Sequence, residues 1–380
     1  MKCGYYDDAR CRSCSELPQP YATQLAAKQA SAEAALAPFA PHQWLPPVAS
    51  AEAGFRNKAK MAIGGSVDAP TLGLIDAAGH GVDLSACPLY PPSMQAAFAP
   101  IRDALAAARV PPYDLGQRRG EGKYVLLTEA PGTGELLLRF VLRSRESLER
   151  LQRQLPDLLA ALPALRVVSV NLLPEHKAVT EGDTEIVLTE ARQIRCRFND
   201  VDLLLTPRSF MQTNSAIAAA LYRQAREWIA AAAPSTVWDL YCGVGGFALH
   251  AAHLGRRVVG IESTPEAIDA ARAASPSGEW IAADASDWAR TQDRPAECVI
   301  VNPPRRGIGP DLAGWLDASG ARTLVYCSCN IASLSRDLSA LPSYRVGQAR
   351  VYDMFPHSTH FETLVLLTRA SPSDLPIPRW

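Results

Sequence analysis

The spacing of hydrophobic positions changes near residue 200. Beyond it, short runs rich in branched apolar residues at 236–241, 257–262, 279–283, 297–302 and 322–328 alternate with stretches of helical period. Strands alternating with helices predict an α/β fold built on a doubly wound, Rossmann-like parallel sheet, whose ligands bind at the C-terminal ends of the strands. A long helix over Ser215–Ala232 is expected to lead into that sheet, and strands at 344–352 and 361–369 to close it. The first 200 residues read as α+β instead. Helices are expected over Gln24–Phe39, Met94–Ala108 and Ser147–Leu162. An alternating strand covers Gly54–Ile63, and a hairpin pairs Val125–Glu129 with Glu135–Leu142 around a Pro-Gly turn. Short strands are expected at Val167–Leu172, Ala178–Thr180, Glu185–Thr189 and Cys196–Phe198. The pattern divides the chain into an N-terminal region (1–95), a central α+β module (96–200) and a C-terminal α/β domain (201–380).

Composition narrows this little. With 48% hydrophobic and 20% charged residues, the 380-residue chain is an ordinary globular protein of two or three domains. No apolar run is long enough to span a membrane, and the N-terminus lacks a signal peptide's apolar core, so a cytoplasmic location is expected. The net charge of −1 offers no bulk attraction to nucleic acid, so any such surface must be local. One candidate is the basic face of the strand carrying Phe55, Arg56, Lys58 and Lys60, which is either simply solvated or grips an RNA backbone.

Chemistry concentrates on the strand ends. The strand ending Asp239-Leu240-Tyr241-Cys242 runs into Gly243-Val244-Gly245-Gly246, where glycines allow a sharp turn and close approach to a ligand. Glu262 closes the next strand about twenty residues on, where nucleotide-binding units place a carboxylate for ribose hydroxyls. Two cofactors fit. A dinucleotide fingerprint would have its third small residue at Ala248, but Asp239 would repel a pyrophosphate and would attract the cationic amino-acid end of S-adenosylmethionine. A later strand ends Asn302-Pro303-Pro304-Arg305. This resembles the N-P-P tetrapeptide of amino-group methyltransferases, except that Arg305 stands where those enzymes usually have an aromatic. The next strand ends Cys327-Ser328-Cys329-Asn330 and puts the Cys329 thiol at the cofactor edge, where a thiolate can attack a substrate. Cys327 reads as a small apolar filler. Downstream, His357, His360 and Glu362 form a run whose best use is a single base, Glu362.

Nine cysteines are many for a reducing compartment. Cys3, Cys11 and Cys14 cluster at the N-terminus, with Cys87 as the natural fourth ligand of an iron–sulfur cluster or a zinc ion; spacing alone does not choose between them.

Together, Asp239–Phe247, Asn302–Gly307, Ser328-Cys329-Asn330 and Asp353–His357 resemble the RNA uracil-C5-methyltransferases. The cysteine set and Phe55–Lys58 extend that resemblance over nearly the whole chain, toward the branch acting on 23S ribosomal RNA. The resemblance implies transfer of a methyl group from S-adenosylmethionine to a hairpin-loop uridine, with Cys329 as nucleophile and Glu362 as general base. It assigns Gln212, Tyr241, Glu262 and Asn302 to the cofactor, and Cys3, Cys11, Cys14 and Cys87 to a [4Fe–4S] cluster. Asp284 is a looser candidate for the adenine edge, and Phe210 for packing near the flipped base. Asn302 departs from the Asp found in many members, which weakens any role there that needs negative charge. No further RNA-binding domain ahead of the cysteines is expected. The rival readings are an amino-group methyltransferase, a dehydrogenase, and a non-enzymatic RNA-binding module.

Overall fold

The computed structural model describes residues 1–176, 179–252 and 255–370. Two units are distinguishable, one made of Met1–Ser13, Ala51–Arg197 and Leu204–Ser215, the other of Cys14–Ser50, Phe198–Leu203 and the chain from Ala216.

The first unit holds a seven-stranded sheet in the order 81–83, 70–75, 58–65, 122–129, 136–142, 165–172, 184–187. All neighbours are antiparallel except 136–142 and 165–172. That parallel pair needs a crossover, which the helix Leu148–Ala161 supplies. Met94, Phe98, Ile101 and Leu105 from Pro92–Ala107, with Leu151 and Leu158 from the crossover helix, pack on Met61, Ile63, Val125, Leu127 and Phe140 of the sheet. The sheet draws strands from both sides of residue 95, because 58–65 pairs directly with 122–129. The expected strand Glu185–Thr189 is found at Thr184–Val187. Val179 and Thr180 are not in a strand, and Ala178 lies outside the described residues.

The second unit is the expected α/β domain. Its eight strands are β1 (Gln43–Trp44), β2 (Thr236–Leu240), β3 (Arg257–Glu262), β4 (Glu279–Ala282), β5 (Cys298–Val301), β6 (Thr323–Ser328), β7 (Tyr344–Tyr352) and β8 (Glu362–Arg369). The sheet order is β1-β7-β8-β6-β5-β2-β3-β4. Only β8 runs against its neighbours. The order reverses beside β2, which pairs with β3 on one side and β5 on the other, so the crevice for a ligand opens at their C-terminal ends. The central strand β5, buried along its whole length, is apolar throughout. Val299, Val301, Leu324 and Tyr326 on one face join Leu312, Leu316, Leu334 and Leu338 of flanking helices.

The edge strand β1 is short and was not evident from the sequence. It follows the helix Tyr21–Leu36, whose Leu36 enters the same core.

Candidate active site

The glycine turn sits at the switch point. β2 is followed by Tyr241, a non-glycine residue held at φ +70°, then by Gly243 at +54° and Gly245 at +92°. An L-residue in that region is strained, and such strain collects at ligand sites. A Cβ on Gly243 would meet nothing within 4 Å, so open space lies above the turn. Asp239 is fully buried below it. Its Oδ2 accepts the Ala248 N–H at 2.8 Å, which ties β2 to the first turn of the helix Gly246–Ala252. Its Oδ1 is buried without a hydrogen-bond partner. Burial pushes the Asp239 carboxyl up to about 8, opposed by the Ala248 bond and reinforced by Glu262. What the structure shows for Asp239 is a local role, fixing the loop to the helix.

Glu262 stands at the tip of β3. Oε2 accepts from the Gly243 N–H at 3.2 Å, and Oε1 from the Thr264 N–H at 2.9 Å and the Ser263 hydroxyl at 3.0 Å. Carboxylate oxygens have further lone pairs, so a ribose hydroxyl can still be bound. Asn302 leaves β5 beside β2, its N–H 3.4 Å from Leu240 O. Asp284 caps the helix Ala285–Arg290 through the Ser286 and Asp287 N–H groups, so one of its oxygens is already in use. An open space over a glycine turn, a carboxylate at the second strand tip and an orphaned acid oxygen below fit a nucleoside with a cationic tail. Gln212 belongs to the first unit. There the Asn57 side-chain amide donates to Gln212 O at 3.1 Å and to Ser215 Oγ at 2.5 Å, fixing the backbone of the 212–215 segment. Phe210, two residues before it, is 68% exposed.

The residues expected to react, Cys329 and Glu362, lie at the ends of β6 and β8. These strands pair Cys327 with Leu364 and Ser328 with Thr363; Cys329 directly follows the last paired residue of β6, Glu362 opens β8, and the charge of Glu362 acts on the Cys329 thiol. Glu362 is 3% exposed, and burial pushes its carboxyl up to about 8, against a bond from Cys327 and the charge of Arg305. Cys329 is half-buried. Burial and Glu362 raise its thiol, while Arg305 lowers it by charge and by a hydrogen bond. Arg305 also meets His360 Nδ1 at 3.1 Å, and its carbonyl accepts from Asn330 Nδ2 at 3.0 Å. Sequence reading used Arg305 only to disfavour nitrogen methylation; its place beside the thiol becomes visible once β5 and β6 are adjacent.

The two histidines separate. His360 joins Arg305, whereas His357 is buried at φ +63° and its N–H donates to Gln24 Oε1 at 2.9 Å. Asp353 is paired with the buried Lys28 at 2.6 Å and accepts from Tyr21 at 2.8 Å. The Asp353–His357 motif is therefore held by the helix Tyr21–Leu36. Nothing in that Ala-rich helix marks this in sequence beyond the isolated Gln24 and Lys28.

On the basic strand face of the first unit, Lys60 is exposed. Lys58 is half-buried, and desolvation lowers its pKa, only partly offset by Glu181. Arg139, nearly fully buried beside it, pairs with Glu181 and Glu185. The Ala86 N–H donates to the Tyr5 hydroxyl at 3.2 Å, tying the N-terminal turn to the segment holding Cys87. Burial raises the Cys87 thiol, and the charges of Cys3 and Cys11 add to it. All four cysteines of the N-terminal set, Cys14 included, are half-buried. Among the described residues, no three His, Cys, Asp or Glu side chains are gathered closely enough to hold a metal ion. No described helix is long and apolar enough to cross a membrane.

A family model described as tRNA (uracil-5-)-methyltransferase matches residues 290–370, the span that holds Cys329 and Glu362. The 23S rRNA (uracil(747)-C(5))-methyltransferase RlmC of Cronobacter sakazakii is 46% identical over 97% of this chain and all of that protein. The RlmC of an Escherichia coli strain is 45% identical over the same share of each. Among solved structures, a Pyrococcus abyssi tRNA (uracil-54, C5)-methyltransferase in complex with S-adenosyl-L-homocysteine aligns with a TM-score of 0.80 and 27% identity, covering 97% of this chain and 85% of that one. With identity of that order along essentially its full length, the chain belongs to the RlmC family of RNA (uracil-C5)-methyltransferases.

Proposed function

We propose that the chain transfers a methyl group from S-adenosylmethionine to C5 of a specific uridine in 23S ribosomal RNA. The observation that supports this is a half-buried thiol, Cys329, just beyond the end of β6, acted on by the charge of the buried Glu362 carboxyl at the start of the neighbouring β8. C5 of uracil is a poor nucleophile. Addition of the Cys329 thiolate to C6 moves charge onto C5 and O4; burial and Glu362 raise the Cys329 thiol, and Arg305 offsets part of that rise. Bound S-adenosylmethionine supplies the electrophilic methyl group that C5 takes up. Glu362 then accepts the C5 proton, the electron pair of that C–H bond re-forms the C5–C6 double bond, and the C6–S bond breaks to release Cys329. By family match Gln212, Tyr241, Glu262 and Asn302 hold the cofactor, Glu262 through the ribose.

Cys3, Cys11, Cys14 and Cys87 are proposed as ligands of a [4Fe–4S] cluster. A zinc ion is the alternative occupant of the same four thiols. The transfer is redox-neutral, so the cluster takes no step in it and serves structure or RNA contact. Iron and acid-labile sulfide analysis of anaerobically purified protein, compared with Cys87→Ser, checks the ligand set; iron content unchanged in that variant removes Cys87 from it.

The function is tested with a 23S ribosomal RNA hairpin carrying 5-fluorouridine at the target. Fluorine cannot leave as a proton, so a Cys329–C6 adduct bearing the labelled methyl group should persist on a denaturing gel and be absent in Cys329→Ala. Label entering unmodified RNA with no adduct would sink the thiolate mechanism. Trapping on a tRNA transcript instead of the 23S hairpin would move the substrate to another RNA.

A further inference from the structure

Cys327 has no part in the mechanism above, yet it touches the group that does the last step. Its Sγ lies 3.7 Å from Glu362 Oε2, within range for a sulfur donor, and both side chains are buried at 0% and 3% exposure. The contact follows from strand geometry. Side chains alternate along a strand, so Glu362, two residues before Leu364 on β8, shares the face of Cys327, which stands opposite Leu364. Among the described residues, no other side chain hydrogen-bonds to the Glu362 carboxylate. A buried carboxylate without donors is costly.

We propose that Cys327 is a positioning residue, whose thiol donates a hydrogen bond to Glu362 Oε2, fixes the base toward the uracil C5 proton and favours its ionised form. The charged and titratable groups around the pair are few. Arg305 comes from the turn after β5, Cys329 lies further along the same chain, and Tyr352 of β7 stands opposite Glu362 in register. Asp239 of β2 acts on Cys327 through its charge. Arg305 is the only cation named among them, and the thiol is the only direct donor. A thiol suits this place. It is a weak donor, so it supports the carboxylate while leaving it basic enough to take the proton.

This inference rests on Glu362 being the base. The test uses the full-length protein and a 23S hairpin whose target uridine carries tritium at C5, so tritium release reads proton removal and a denaturing gel reads the covalent adduct. In Cys327→Ala the pH profile of single-turnover tritium release should move upward by about one unit. Below its plateau that slows release about ten-fold, since one unit is a factor of ten. Adduct should accumulate while KM for RNA stays unchanged, and Cys327→Ser, which restores a donor, should return the profile toward wild type. A Cys327→Ala profile that superimposes on wild type overturns the proposal. So does a Cys327→Ser protein that is no better than Cys327→Ala, since filling space would then be the whole role. Glu362→Gln separates the two layers: if it releases tritium at the wild-type rate without accumulating adduct, the base itself is misassigned, whatever Cys327 does.

Discussion

Glu362 and Asp239 are carboxyls held out of water in the same domain, each pushed up to about 8 chiefly by burial. For Glu362 this is what a base acting on a carbon acid needs, since a carboxylate left in its ordinary range is a poor proton acceptor. It also carries a stability cost whose sign is fixed by linkage. Between about pH 4 and pH 8 the unfolded chain has released these protons while the folded chain keeps them, so folding stability falls as pH rises through that window. Glu362→Gln removes one of the two contributions. The variant should therefore melt with wild type near pH 4 and be more stable by about 1–3 kcal/mol near pH 8, while losing turnover. Thermal melts at the two pH values check this. A difference of the same size at both would mean that the Glu362 carboxyl is not held back from ionising.

At the scale of elements, the packing around Trp280 of β4 shows what pattern reading misses. Gly260 interrupts an otherwise branched strand, Val258-Val259-Gly260-Ile261, for no reason visible in sequence. In the structure a Cβ there would lie 2.5 Å from Trp280 ring carbons and 3.0 Å from Cys242 Sγ, so the glycine makes room for the indole under the cofactor turn. Gly260→Ala should cost about 1–3 kcal/mol by overpacking and should weaken S-adenosylhomocysteine binding by displacing Cys242 and with it the Gly243 turn. Wild-type melting and binding would show that the ring yields without consequence. The strand–helix alternation after residue 200 was legible because each element carries its own period, and the helix Ser215–Ala232 has the expected bounds. Gln43–Trp44 was not legible, because two residues have no period and exist as a strand only through pairing with β7. Nor was the strand Val201–Leu205, whose leucines read as a lead-in to the helix. The division at residue 95 failed to anticipate a sheet joined by pairing between 58–65 and 122–129, which is a contact between distant segments. At the site, Cys329, Glu362 and Glu262 stood out as chemistry at strand ends. Arg305 and Cys327 did not, since their meaning depends on which strands become neighbours.

For the molecule as a whole, a net charge of −1 limits how RNA can be held. Counterion release gives affinity in proportion to the phosphates neutralised, and a chain with 38 basic and 39 acidic residues has no global excess to spend on it. Part of the basic inventory is also committed inside the fold, as Arg139 is to Glu181 and Glu185 and Lys28 is to Asp353. Contacts independent of charge must then make up the difference, and exposed aromatic surface is the obvious source. Phe210 is the most exposed large apolar side chain described, in the same short segment as the Gln212 backbone that Asn57 fixes. Stacking of a base on an aromatic ring is worth about 1–3 kcal/mol, and it does not weaken as counterions are added. Phe210→Ala should accordingly loosen the 23S hairpin by roughly 10- to 100-fold at every salt concentration, leaving the slope of log affinity against log salt as in wild type. That slope itself should be shallow, with less than a thousandfold lost between 50 and 200 mM salt, below the range of proteins that grip six or more phosphates. Titrations of both proteins across that salt range decide it. A steep slope in wild type, or a Phe210→Ala effect that vanishes at low salt, would place RNA recognition on a local basic patch instead.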